Sequence, residues 1–200
     1  MTQQRLGLFG GTFNPPHLAH FDLARLFIQY CALDYLFILP TGHSYHKKAD
    51  IASRQTRYDM CLIAFSSLVN TIVERSDIDR QGPTYTVDTL RRYHAQYRNA
   101  AFYWLLGGDA FLQLEHWHDY AQLVTFATFA IAPRDEIDRS VILKHAHQFH
   151  PSPRIRILPV PPIPYSSSQI RTALNRGEKN ILGLDPKVEN YIREHHLYHT

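Results

Sequence analysis

"GLFGGTFNPPHLAH", Gly7 to His20, joins an apolar run to a glycine pair, Pro-Pro and two histidines three residues apart. The residues from Arg5 to Phe9 predict a short buried strand, and Leu18 to Tyr30 puts Leu23, Leu26, Phe27 and Tyr30 on one helical face. Strand, glycine loop and helix in that order make a phosphate corner. Glycines after a strand let the backbone approach a ligand, and Pro15 and Pro16 pre-set the chain for a helix whose N–H groups face it. His17 and His20 share one face near the positive end of the helix dipole, where two imidazoles can donate to phosphate oxygens. Phosphoryl and nucleotidyl transfer need mainly positioning and charge neutralisation, so donors suffice without a nucleophile. The glycines are not spaced G-x-G-x-x-G and no G-x-x-x-x-G-K-[ST] occurs, which argues against a dinucleotide-binding dehydrogenase and a P-loop ATPase.

Working outward, Tyr35 to Leu39 predicts a second strand closed by Pro40, and Ser53 an N-cap for a helix through Leu68. Strand Thr71 to Glu74, a loop SDIDRQGP, a helix from about Thr86 to Tyr97 and strand Ala101 to Leu106 follow, the last ending in Gly107-Gly108-Asp109. Phe126 to Ala132 and Ile155 to Val160 supply two more strands around a polar helix or loop. A helix from Ser166 to Arg176 stops at Gly177, and Asp185-Pro186 opens the last one. The alternation predicts an α/β fold with a doubly wound, mostly parallel sheet, helices on both faces and the ligand site at the strands' C-terminal edge. No repeat or linker divides residues 1 to 200, so one domain is expected.

The composition is that of a chain able to bury a core: 200 residues, 44% hydrophobic and 20% charged. A net charge of +3 favours small anionic ligands but lacks the dense basic stripe of a duplex binder, so no nucleic-acid partner is expected. Cys31 and Cys61 lie far apart in apolar segments and are read as buried reduced thiols, hence a cytoplasmic protein. Neither a signal peptide nor an 18-residue apolar run occurs, so no membrane partner is expected. The histidines of "KHAHQFHP" and "EHHLYHT", and His116 and His118 beside Trp117, lack the pattern of a zinc site and are read as surface residues.

"GGTFNPPHLAH" resembles the N-terminal motif of the nucleotidyltransferases whose pattern ends H-x-G-H, and within them that of bacterial nicotinate-nucleotide adenylyltransferases. Ala19 stands where that family usually has glycine, and Asn14 where aspartate is common. "PTGHSYHKK" resembles the family's P-x-x-x-x-P-H-K stretch, with Tyr45 for its second proline and Lys47 on the matching lysine. "GPTYTVDTL" resembles G-x-S-Y-T-x-D-T-L, with Thr84 for serine. "LLGGDAFLQLEHWHDY" resembles the family's G-x-D followed by a tryptophan, here Gly107, Asp109 and Trp117. "YSSSQIRTAL" resembles the superfamily's I-S-S-T-x-I-R, with Tyr165 for isoleucine and Ser168 for threonine.

The resemblance implies a Rossmann-like nucleotidyltransferase fold and adenylyl transfer from ATP to nicotinate mononucleotide, giving deamido-NAD and pyrophosphate in NAD biosynthesis. His17, His20, Lys47 and Arg171 would be catalytic. Gly10, Gly11, Thr12, Phe13, Gly107, Asp109, Ser166, Ser167 and Ser168 would bind ATP together with His17, His20 and Arg171. Asn14, Lys47, Thr84, Tyr85, Thr86 and Trp117 would bind nicotinate mononucleotide. Mg²⁺ would accompany ATP mostly through water, because no carboxylate cluster is apparent. Sister adenylyltransferases acting on nicotinamide mononucleotide or 4′-phosphopantetheine share both phosphate motifs, and acceptor preference separates them. A non-catalytic nucleotide binder would hold ATP without releasing pyrophosphate, and an RNA binder would rest on tyrosine and arginine abundance alone.

Overall fold

A computed structural model describes residues 3–42, 52–133, 139–161 and 164–198. The opening stretch forms β1 (Arg5–Gly11), a loop and α1 (Leu18–Cys31). Next come β2 (Tyr35–Pro40), α2 (Arg54–Ala64), β3 (Thr71–Val73), α3 (Ser76–Asp79) and α4 (Thr86–Gln96). β4 (Ala101–Gly107) leads into α5 (Gly108–Phe111), a 3-10 turn at Leu114–His116 and α6 (Tyr120–Phe126). β5 (Thr128–Ala132), α7 (Arg139–Ala146), β6 (Arg154–Ile157), α8 (Ser167–Asn175) and α9 (Pro186–Glu194) complete the order.

Among the described residues the six strands form one sheet in the order β3-β2-β1-β4-β5-β6, with every pairing parallel. The chain winds outward from β1 in one direction and returns through β4 in the other, so the topological switch lies between those two strands. Both faces are covered, and the side-chain alternation of each strand sorts the core into two layers. Leu36, Ile38, Tyr103, Leu105, Ala130 and Ala132 pack with α1, α2, α8 and α9, burying Phe27, Met60, Leu174 and Ile192. Their strand neighbours Phe37, Leu39, Phe102, Trp104, Phe129 and Ile131 face α4, α6 and α7, burying Leu90, Leu123 and Ile142. At roughly 1.5–3 kcal/mol per fully buried large apolar side chain, these two layers are the main source of stability.

Several expected boundaries move for identifiable reasons. α2 stops at Ala64 instead of Leu68, because Phe65 turns into the core at 2% exposure, edge-on to Phe13, while Ser66 Oγ donates to Ile63 O. Ser53 does cap that helix, its side chain accepting from Thr56 N at 3.1 Å. The expected loop SDIDRQGP contains the single turn α3. Phe126 ends α6 and does not begin β5, since an apolar run by itself does not separate helix from strand. β6 ends at Ile157, although Leu158 N–H still donates to Ile131 O at 2.8 Å. Cys31 and Cys61 are buried and free, as expected. Among the described residues no helix is long and apolar enough to cross a membrane.

Candidate active site

The C-terminal ends of β1 and β4 open into a cavity of about 370 Å³ at the topological switch. Its β1 side is built by Gly10, Gly11, Thr12 and His20, its β4 side by Gly107 and Asp109, and a third wall by Thr84, Thr86 and Trp117. Gly10 is required where it stands: a Cβ there would lie 2.9 Å from the buried indole of Trp104, which forms the cavity floor.

The two histidines of the opening stretch form a reciprocal cap. His17 is the N-cap of α1, its side chain facing the His20 backbone N–H in a capping-box arrangement, and His20 Nδ1 accepts from the His17 N–H at 3.2 Å. An imidazole that accepts at one nitrogen carries its proton on the other when neutral, so the His20 ring keeps its Nε2–H to donate. The rings lie 3.8 Å apart at 31°, with Tyr165 edge-on to His17. The helix start is less of an open N–H cradle than the sequence suggests, because Leu18 N–H donates to Gly183 O at 2.8 Å and His20 N–H to His17 O at 2.8 Å. Donation to an anion therefore falls more on the imidazoles and the glycine loop.

Phe13 turns the loop through a left-handed φ of 48°, and its buried ring packs edge-on to His20 at 5.0 Å. A bulky residue in that region costs on the order of 1–3 kcal/mol and persists only where the surroundings hold it. Asn14 is buried beside it: its Oδ1 accepts from Ala52 N–H at 3.1 Å and Tyr198 Oη–H at 2.7 Å, and Arg171 Nη1 donates to its carbonyl at 2.8 Å. Burial pushes the Tyr198 hydroxyl up, so it stays a donor. Ser167 Oγ donates to Pro15 O at 3.0 Å, and Ser166 caps α8 by accepting from Gln169 N. The second phosphate-type motif is thus bonded to the backbone of the first. Ser166, Ser167, Ser168 and Arg171 stand beside that loop and are not among the cavity-lining residues.

On the third wall, Thr84 Oγ1 is buried without a hydrogen-bond partner among the described residues, a state costing roughly 1–3 kcal/mol until something bonds to it. Thr86 begins α4. Tyr85, its N-cap, is exposed and stacks on His118 at 4.1 Å, away from the cavity lining. Lys47 lies outside the described residues.

Three residues with a part in the site escaped the sequence reading. Asp77 lines the cavity with only 5% of its surface exposed and accepts from Thr89 Oγ1 at 3.2 Å; burial raises its carboxyl above the usual range, opposed chiefly by Arg92. Trp104 was hidden in an apolar strand. Arg57, 1% exposed, lies on the core stripe of α2 with Met60, Cys61 and Ala64. An arginine at i of an i, i+3, i+4, i+7 apolar set was a legible signal.

The cytidylyltransferase-like family matches residues 8–173. A protein of Albidiferax ferrireducens named "Probable nicotinate-nucleotide adenylyltransferase" is 34% identical over 197 residues, covering 98% of this chain and 99% of that one. A protein of the same name from Neisseria meningitidis serogroup B is 37% identical over 199 residues, with 98% of each covered. The solved structure of Plasmodium falciparum nicotinic acid mononucleotide adenylyltransferase complexed with NaAD superposes with a TM-score of 0.78 at 20% identity over 98% of both chains, and so shares the fold. With strand order, switch-point cavity and motifs in agreement, the chain belongs to the cytidylyltransferase-like family, among the nicotinate-nucleotide adenylyltransferases.

Proposed function

We propose that this chain transfers the adenylyl group of ATP to nicotinate mononucleotide, giving deamido-NAD and pyrophosphate. The observation that carries the proposal is one cavity with the glycine-histidine corner on one side and Thr84, Thr86 and Trp117 on another, at the switch point of a parallel sheet. A 5′-phosphate oxygen of the acceptor attacks the α-phosphorus in line; the new P–O bond forms as the bond to the β-phosphate breaks, and pyrophosphate carries away the electron pair. Nothing in this requires a covalent enzyme intermediate.

In this reading the imidazole N–H groups of His17 and His20 donate to oxygens whose charge grows in the transition state. Gly10, Gly11, Thr12 and Phe13 shape the backbone around the phosphates. Lys47, which follows β2 in the sequence, adds a point charge, and Ser166, Ser167, Ser168 and Arg171 hold the β and γ phosphates once the α8 start engages them. Gly107 and Asp109 take the ribose, the carboxylate accepting from its hydroxyls. The nicotinate carboxylate lies at the Thr84 to Thr86 segment, where Thr84 Oγ1 supplies a donor that is unsatisfied among the described residues. Trp117 stacks on the pyridine, and Asn14 serves the acceptor through the loop it braces.

Among the described residues no group of three His, Cys, Asp or Glu side chains could hold a metal ion. Mg²⁺ would come with the triphosphate, keeping most of its waters, and would supply neutralisation of phosphate charge there. We read residues 1 to 200 as one domain, supported by the bonds of Tyr191 to Asp59 at 3.1 Å and of Tyr198 to Asn14. The two buried reduced cysteines support a cytoplasmic setting.

The test is pyrophosphate release from Mg-ATP with and without nicotinate mononucleotide. Release that depends on the acceptor is expected; ATP binding with no release would reduce the chain to a nucleotide binder.

A further inference from the structure

Arg57 has an unusual set of partners. Its Nη1 donates to Thr12 O at 2.7 Å, its Nη2 to Thr41 O at 2.6 Å and Gly42 O at 3.1 Å, and its Nε to Ala52 O at 3.2 Å. All four acceptors are backbone carbonyls. Among the described residues, the ionisable groups acting on it are Cys61, Tyr198 and Arg54, with no carboxylate among them. Burying a guanidinium without a counter-ion is costly, and a chain tolerates it where several hydrogen bonds and a further anion offset the loss of water.

Thr12 and Thr41 both line the cavity, one after β1 and the other after β2. In a planar trans peptide the C=O and the following N–H point in opposite directions. By drawing the Thr12 and Thr41 carbonyls toward itself, Arg57 turns the N–H groups of Phe13 and Gly42 the other way. It also keeps two oxygen dipoles out of a cavity that must take anions.

We infer that Arg57 is a positioning residue for the phosphate corner: it ties the loops after β1 and β2 together through four carbonyls, sets their peptide planes toward the ligand and leaves a positive charge beneath it. This rests on the proposed reading of the corner as a phosphate site. Lysine at 57 keeps the charge but cannot span four carbonyls with one nitrogen, and methionine keeps only an apolar stem.

The experiment compares Arg57→Lys, Arg57→Met and Leu174→Ala, the last a core change in the same layer away from the cavity lining. Calorimetric Kd values for Mg-ATP and for inorganic triphosphate are taken for each folded variant well below its melting temperature, alongside kcat and KM. Both Arg57 variants are expected to bind triphosphate about tenfold or more weakly, with lysine recovering part of what methionine loses, while Leu174→Ala melts earlier with wild-type Kd. If Arg57→Met does not fold, Arg57→Lys carries the same comparison. Wild-type Kd and kcat in a folded Arg57 variant overturn the inference alone; a wild-type chain that binds neither ligand overturns the phosphate reading with it.

Discussion

Gly107→Ala separates function from folding at a single methyl group. Gly107 sits at φ −75°, ψ 160°, which alanine adopts without strain. A Cβ there would lie 2.5 Å from Asp109 Oδ1 and 3.7 Å from its Cγ, with no other described atom outside its chain neighbours within 4 Å. Ordinary contact begins near 3.4 Å, so the carboxylate oxygen must move by about 0.9 Å. Because that oxygen is the free end of a rotatable side chain, the cost to folding is about 0.5–1 kcal/mol, a few degrees in Tm at most. If Asp109 takes the ribose as proposed, the same displacement removes a charged hydrogen bond to it, worth roughly 1.5–3 kcal/mol, or about 10- to 150-fold in kcat/KM. The assay is initial-rate pyrophosphate release over an ATP titration, with a thermal melt of the same samples. Adding Asp109→Ala to Gly107→Ala should cost little more, since both remove the same bond. A Gly107→Ala chain with wild-type Tm and kcat/KM within twofold would refute the ribose role of Asp109.

Three further perturbations probe other parts of the site. His17→Asn should keep the cap of α1, which alanine would lose at roughly 1 kcal/mol, yet lower kcat by about 10²–10³ because the imidazole donor is gone; a change confined to KM would contradict a transition-state role. Asp77 has its carboxyl raised above 3.8 by burial, so the native state binds its proton more tightly than the unfolded chain, and the associated stability is complete below pH 3.8 and lost as pH rises through the native value. Relative to wild type, Asp77→Asn should therefore gain stability with rising pH in urea titrations, and a pH-independent difference would contradict it. Chelating Mg²⁺ should abolish turnover while leaving the melt of the ligand-free chain unchanged, since among the described residues no group of three His, Cys, Asp or Glu could hold the ion; a shifted melt would point to a protein-held metal.

The parts of this protein that follow a period were legible, and those that depend on distant partners were not. β1, the loop and α1 follow from an apolar run, a glycine pair and a helical stripe, and parallel pairing follows from alternating elements. α3, a single charged turn, has no period to find, and the end of α2 is set by Phe65 meeting Phe13, 52 positions away in the chain. The same distinction runs through the site. Gly10, Thr12, His20, Thr84, Asp109 and Trp117 were identified from local motifs and meet in one cavity. Asn14 and Tyr198, 184 positions apart, meet only because α9 brings the later segment under the loop after β1. Arg57, a charge on an apolar stripe, escaped the sequence reading, and its carbonyl partners lie on two loops, after β1 and before α2, that no local pattern connects.

The most direct test of the central claim is a competition: limiting Mg-ATP with equimolar nicotinate mononucleotide, nicotinamide mononucleotide and 4′-phosphopantetheine, the adenylylated products resolved by mass. Adenylyl transfer to nicotinate mononucleotide predicts deamido-NAD as the dominant product, with pyrophosphate in equal amount. A dominant product from either other acceptor would keep the fold and the phosphate corner and contradict the assignment of Thr84, Thr86 and Trp117 to a nicotinate ring.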